Sequence, residues 1–265
     1  MATDIAFAVG VVVVLGPRVP SGLKIFLLTL AIADDVGGIL VIAIFYTDAL
    51  SGPWLGGAVA GVLAVWAMQK SGIRSIPPYV VIAGWIWVAT FESGIHPTIA
   101  GVTLGLMTPV ARVGERRILH QLEHRLHPWS SFAVIPLFAL ANAGIELGGG
   151  VIRDALSARV TWGIILGLVV GKGLGVTLAI MAGVRAGIGR LPDAITTSHV
   201  VGMGLISGIG FTVAIFIANL SFKEDVAVLD QAKIGVVLAS VLAAVLGVLW
   251  LTRVAPRVEA NGPEP

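Results

Sequence analysis

Closely spaced apolar stretches limit what this chain can become. They cover residues 23–46, 54–68, 77–90, 95–110, 129–147, 160–183, 198–220 and 226–253. Short polar punctuation separates them, such as Gly16-Pro17-Arg18, Ser51-Gly52-Pro53, Pro77-Pro78 and Gly148-Gly149-Gly150. Of the residues, 57% are hydrophobic and 12% charged, about half the charged share of a soluble domain. So few polar groups cannot cover a water-exposed surface. A secreted enzyme, a nucleic-acid binder and a disordered regulator are therefore excluded, and a polytopic all-α membrane protein in contact with lipid is expected. The 34 glycines fit close helix packing in a membrane, and the absence of cysteine rules out thiol chemistry.

The first apolar run is shorter. Residues 4–15 would make about 18 Å of helix against about 30 Å of hydrocarbon. The expectation is a half-span followed by eight helices, with the N-terminal part of the fold truncated. Residues 1–253 read as one membrane domain and residues 254–265 as a polar tail. The loops at 16–24, 69–76, 111–128 and 184–197, with Arg253 and the tail, hold twelve of the 17 basic residues. The opposite loops hold four, so the positive-inside rule places the richer side and the C-terminus in the cytoplasm.

Asp4, Asp34, Asp35 and Lys172 fall inside apolar stretches. Each costs about 2.5–3.5 kcal/mol to place at a bilayer centre, so each calls for a function or a partner. Asp35 lies 11 residues beyond Lys24, about 16 Å of helix and near the midplane. Two adjacent carboxylates repel one another. When ionised they bind a hard cation through oxygen; when protonated they carry protons. A site that holds one or the other couples their movements by competition. Neighbouring helical residues project about 100° apart, so one carboxylate can face a cavity and the other a base. Lys172 is the only basic residue deep in a span. A salt bridge that merely pins two helices is the ordinary alternative.

Ser207-Gly208-Ile209-Gly210-Phe211-Thr212 interrupts the stretch 198–220. Gly208 and Gly210, with two hydroxyl residues, can unwind a helix and satisfy the freed backbone. Thr3-Asp4-Ile5-Ala6-Phe7 is its counterpart. Lys24 follows Asp4 by 20 residues and Lys233 follows Gly210 by 23, on opposite sides of the membrane, as an inverted repeat predicts.

These motifs resemble those of the NhaA-type sodium/proton antiporters. Thr3-Asp4-Ile5-Ala6-Phe7, Ala33-Asp34-Asp35, Ser93-Gly94-Ile95-His96, Leu122-Glu123-His124, Ala141-Asn142-Ala143-Gly144, Gly171-Lys172-Gly173 and Gly208-Ile209-Gly210-Phe211-Thr212 occur in order. The resemblance implies an all-α fold of twelve helices with inverted repeats and discontinuous crossing helices, entered here inside the fourth. It implies sodium- or lithium-for-proton exchange by alternating access, serving pH and sodium homeostasis in the bacterial inner membrane. Asp35 would be the main cation ligand, Asp34 its partner in proton exchange, and Thr3 a further oxygen ligand. Asp4 would balance the positive helix ends, and Lys172 the negative ends or Asp34. Glu123, His124 and His127 match a pH-regulatory cluster, with Glu115 and His120 nearby, whereas His96 reads as structural. No cofactor and no enzymatic activity are implied; the partners are the ions, protons and lipid. A homodimer is compatible with the family, but the segment that makes its dimer contact is not in this chain. Two other readings stay open: a non-transporting fragment that needs a partner chain, and a sodium-coupled organic-acid symporter of related fold.

Overall fold

The computed structural model describes residues 2–16, 19–46, 50–73, 75–109, 118–142, 144, 150–192 and 195–253. Among them every regular element is a helix: α1 (Ile5–Val14), α2 (Ser21–Phe45), α3 (Gly52–Lys70), α4 (Ile76–Glu92), α5 (Thr98–Met107), α6 (Ile118–Trp129), α7 (Ile135–Asn142), α8 (Val151–Ser157), α9 (Arg159–Ile165), α10 (Lys172–Arg185), α11 (Thr197–Ile206), α12 (Phe211–Ser221) and α13 (Val226–Arg253). A π-helical turn, Ser130–Val134, joins α6 to α7, and another, Leu166–Gly171, joins α9 to α10.

Among the described residues, three continuous helical runs are long and apolar enough to cross a bilayer: Gly22–Phe45, Arg159–Arg185 and Val226–Arg253. In the first, only 17% of the most apolar window is buried by the protein itself. Ile25, Ile32, Leu40 and Ile44 are all more than half exposed. A helix with that much bare hydrocarbon is stable only where the surroundings are apolar too. The bent pair α11 and α12, which turn 48° at their break, is long and apolar enough to make a fourth when taken as one span.

Local chemistry sets the boundaries. Proline stands in the first turn of α3 and of α4, behind Ser51 and Ser75, where its missing N–H costs nothing. Gly72 and Gly94 follow their C-termini with φ of 72° and 84°, the left-handed conformation that ends a helix cheaply. The stretch expected at 95–110 yields a shorter helix, α5, of 10 residues. Pro97 delays its start. Thr108 is extended, at φ −69° and ψ 123°, because Pro109 disfavours a helical residue before it.

The stretch expected to begin at Trp129 also needs correction. Half of the polar insert before it is helix, for α6 starts at Ile118 and continues through the π turn into α7. Pro128 and Pro136 each remove a ladder donor. Between them the ladder widens, and the Ile135 N–H bonds to the Ser130 carbonyl. The expected end of that stretch, at 147, lies outside the described residues.

Packing divides the chain into two units, residues 1–38 with 139–265 and residues 39–138. In the first, α13 is the central helix, in contact with α1, α8, α9, α11 and α12. Leu23, Leu27, Met203, Ile206, Ile215 and Val236 are buried in its core. In the second, α3 packs on α4 and α4 on α5 around Val65, Ile86 and Ala100.

Small residues allow the close crossings. A Cβ on Gly204 of α11 would lie 2.7 Å from the Gly173 carbonyl oxygen and 2.9 Å from Thr177 Oγ1, both on α10. Backbone cannot rotate away as a side chain can. Gly204→Val is expected to destabilise the chain by about 1–3 kcal/mol. Gly175→Ala, which meets nothing within 4 Å, should not. Thermal unfolding of both variants in detergent checks this.

Candidate functional site

The site begins with the gap between α11 and α12. Ser207, Gly208 and Ile209 close the end of α11 with bonds from their N–H groups to Met203, Leu205 and Ile206. This leaves the Ser207 and Ile209 carbonyls as buried acceptors outside the ladder at the negative end of a helix, and the first N–H groups of α12 as donors at a positive end. In a bilayer core no water satisfies them.

The extended residues before α1 do so. The Asp4 N–H donates to the Ile209 carbonyl at 2.7 Å. The Asp4 carboxylate then bridges two helix starts. Its Oδ1 accepts from the Phe7 N–H of α1 at 3.1 Å. Its Oδ2 accepts from the Thr212 N–H of α12 at 3.0 Å, and from the Thr212 hydroxyl. One negative charge thus faces two positive helix ends, with Asp4 only 3% exposed. The rings of Phe7 and Phe211 pack over this junction, 4.8 Å apart. Another N–H at the start of α12, that of Phe211, donates to Ser240 Oγ of α13 at 3.1 Å.

Thr3 connects this junction to the charged pair. Its N–H donates to Asp34 Oδ2 at 2.8 Å. Its Oγ1 lies 2.8 Å from Asp34 Oδ2 and 2.8 Å from the Ser207 carbonyl oxygen. A hydroxyl has one proton, so it donates to one of the two at a time. Lys172 donates to Thr3 Oγ1 at 2.5 Å and forms a salt bridge with Asp34 Oδ2. The side chains of Lys172 and Asp34 are 14% and 27% exposed, so each charge depends on the other for compensation that water would otherwise give. Lys172 also brings positive charge to the negative end of α11, where Thr3 meets Ser207. It stands at the first residue after a π turn.

Asp35 is placed differently. It is partly buried, and its Oδ1 is shielded from solvent with no hydrogen-bond partner. A buried carboxylate oxygen without a donor is costly unless a cation or a proton occupies it. Asp34 is held by three donors while its neighbour is left open, which is the division of roles that a 100° offset permits. Among the described residues no three His, Asp or Glu side chains converge. The oxygen donors here are carboxylates, the Thr3 hydroxyl and backbone carbonyls, a set suited to a hard cation.

Asp4, Thr3, Asp34, Asp35, Lys172 and the Gly208–Gly210 break all belong to the first unit. Glu123, His124 and His127 lie on α6 of the second unit, exposed. With His120 they fall at helical spacing on one face, and His120 Nδ1 is 3.7 Å from Glu123 Oε2. A pair this exposed contributes little to stability. His120, His124 and Arg125 form one wall of an open groove whose other wall is Pro77, Val80 and Val81 of α4. Glu115 lies outside the described residues. His96 bonds locally through Nδ1 to Thr98 Oγ1 at 3.0 Å, next to the start of α5. Ser240 is not singled out by sequence reasoning. Its one signal is a lone hydroxyl residue midway along the apolar run of α13.

A helical polytopic membrane protein whose buried charges gather at an interrupted helix is the class that fold and site define. The family model described as Na+/H+ antiporter 1 matches residues 1–251. The chain is 45% identical over 258 residues to Na(+)/H(+) antiporter NhaA 2 of Pseudomonas syringae pv. syringae (strain B728a), covering 97% of this chain and 66% of that protein. It is 43% identical over 263 residues to Na(+)/H(+) antiporter NhaA of Salmonella arizonae, covering 99% and 66%. It is 42% identical over 259 residues to the NhaA protein of Escherichia coli O139:H28, covering 97% and 66%. The chain belongs to the Na+/H+ antiporter 1 family. It spans just under two thirds of the length of these relatives, 66% in each case.

Lys172→Ala leaves the Asp34 carboxylate without its cation. The expected loss of stability is toward the low end of about 3–5 kcal/mol. Adding Asp34→Asn should recover part of it, since the uncompensated charge is then gone. Melting temperatures of the two single variants and the double variant in detergent test this coupling.

Proposed function

We propose that this chain exchanges sodium or lithium for protons across the bacterial inner membrane, with the proton gradient driving sodium out. The observation that carries the reading is the contrast within the adjacent carboxylates. Asp34 is tied to Lys172 and Thr3, whereas Asp35 presents a buried oxygen with no donor. Asp35 is the cation ligand, and Asp34 and Thr3 supply further oxygens when the ion enters. Protons arriving from the outside neutralise the carboxylates and displace the ion. Sodium arriving from the cytoplasm displaces the protons. With two carboxylates serving one ion, more protons than sodium ions move in each cycle.

The broken helix is what turns competition into transport. The Thr3 hydroxyl donates to Asp34 when that carboxylate is ionised. When Asp34 is neutralised, the same hydrogen turns to the Ser207 carbonyl at the end of α11. Occupancy of the site is thereby felt by the helix that must move. Lys172 holds Asp34 between turnovers, and Asp4 keeps the starts of α1 and α12 together. Residues 1–253 act as one transport domain, and the tail 254–265 lies in the cytoplasm, the side that holds most basic loop residues. The His-rich face of α6 with Glu123, His124 and His127 adjusts activity to pH. The reading needs no cofactor.

The test is sodium-induced collapse of a pH gradient in everted membrane vesicles, from slightly acid to slightly alkaline pH. The chain should respond, and Asp35→Asn, inserted in equal amount, should abolish the response. An undiminished response in Asp35→Asn would rule out the assigned ligand. Silence of both, with the chain verified in the membrane, would instead favour a chain that needs a partner.

A further inference from the structure

We infer that Ser240 of α13 is a positioning residue for the exchange site, acting by capping α12 from outside its own helix. The inference rests on the antiport reading above.

The start of α12 lacks an ordinary cap. Gly210 stands at the capping position and has no side chain to offer. Two of the donors at the helix end by the break are the N–H groups of Phe211 and Thr212. Asp4 takes the second and Ser240 takes the first. The Ser240 hydroxyl proton is committed to the Val236 carbonyl at 2.7 Å, one turn back in α13. Its lone pair is therefore turned toward Phe211 and fixed there. Ser240 is 6% exposed and lies midway along Val226–Arg253, so no water replaces it.

Dividing the two donors between a neutral hydroxyl and a carboxylate has a consequence for the ion. Without Ser240, a bare N–H adds partial positive charge to the break. The Asp4 carboxylate, which already serves Phe7 and Thr212, is the negative charge at this same helix start. Asp4 is drawn toward α12, and Thr3, its neighbour in the chain, is drawn away from Asp34. Both effects weaken a cation site, the first by repulsion and the second by displacing an oxygen. The route runs through contacts already described: Ser240 to Phe211, Phe211 beside Thr212 and Asp4, Asp4 to Thr3, Thr3 to Asp34.

The test compares Ser240→Ala, Ser240→Thr and Thr252→Ala with the parent chain. Thr252, near the end of the same helix, also bonds back to its own helix, at Val248. Two readouts are taken per inserted protein: sodium dependence of exchange in everted vesicles, and sodium or lithium binding to the purified full chain by calorimetry. Ser240→Ala is expected to raise KM and the dissociation constant about three- to tenfold, with the maximal rate largely kept. Ser240→Thr should recover most of this, and Thr252→Ala should match the parent. An Ala variant with parental KM and binding overturns the inference. So does a defect confined to the amount inserted, or one that Thr252→Ala shares. A parent chain silent in both assays overturns the antiport reading first, and the inference with it.

Discussion

A helix interrupted inside an apolar medium creates backbone donors and acceptors that the medium cannot satisfy. Much of this site answers that constraint. The break at residues 207–210 frees carbonyls on one side and N–H groups on the other. The carbonyls are met by the Asp4 N–H and the Thr3 hydroxyl, the N–H groups by the Asp4 carboxylate and Ser240. The charged residues of the core therefore have a structural reason to stand where they do. Asp4 faces two helix starts, and Lys172 lies beside a helix end.

That arrangement makes the adjacent carboxylates unequal. Lys172 and Thr3 are occupied at the end of α11, and the carboxylate within their reach is Asp34. Asp35, one residue on, points elsewhere and keeps a buried oxygen open. The same chemistry in two neighbouring positions thus yields one group that is fastened and one that is available. The close crossing of α10 and α11, possible because Gly173 and Gly204 lack side chains, holds Lys172 against this junction.

Much of this was legible in the sequence, for physical reasons. Asp34, Asp35 and Lys172 stand out because charge is expensive in an apolar run. The break stands out because Gly208 and Gly210 lie among hydroxyl residues. The roles of Thr3 and Asp4 came only through resemblance, since nothing local to residues 2–5 shows what they face. Which Asp meets Lys172 depends on helix phase, and the π turn at Leu166–Gly171 that precedes Lys172 has no obvious sequence signal. The short α5 was readable in principle from Thr108-Pro109. The helical start of α6 was readable from the spacing of His120, Glu123, His124 and His127, but its polarity hid it inside an insert. Ser240 has no distinguishing signal in the sequence, because one hydroxyl residue in an apolar helix usually bonds its own backbone, and it does that as well.

The Thr3 hydroxyl, equidistant from two acceptors, has a wider implication. The hydrogen prefers the ionised carboxylate and turns to the carbonyl once Asp34 is neutralised, so the charge on Asp34, set by what it has bound, decides its direction. On the antiport reading, such a site carries no arrow of its own. The direction of travel belongs to the two solutions it separates, and the same molecule runs backward when their compositions are exchanged.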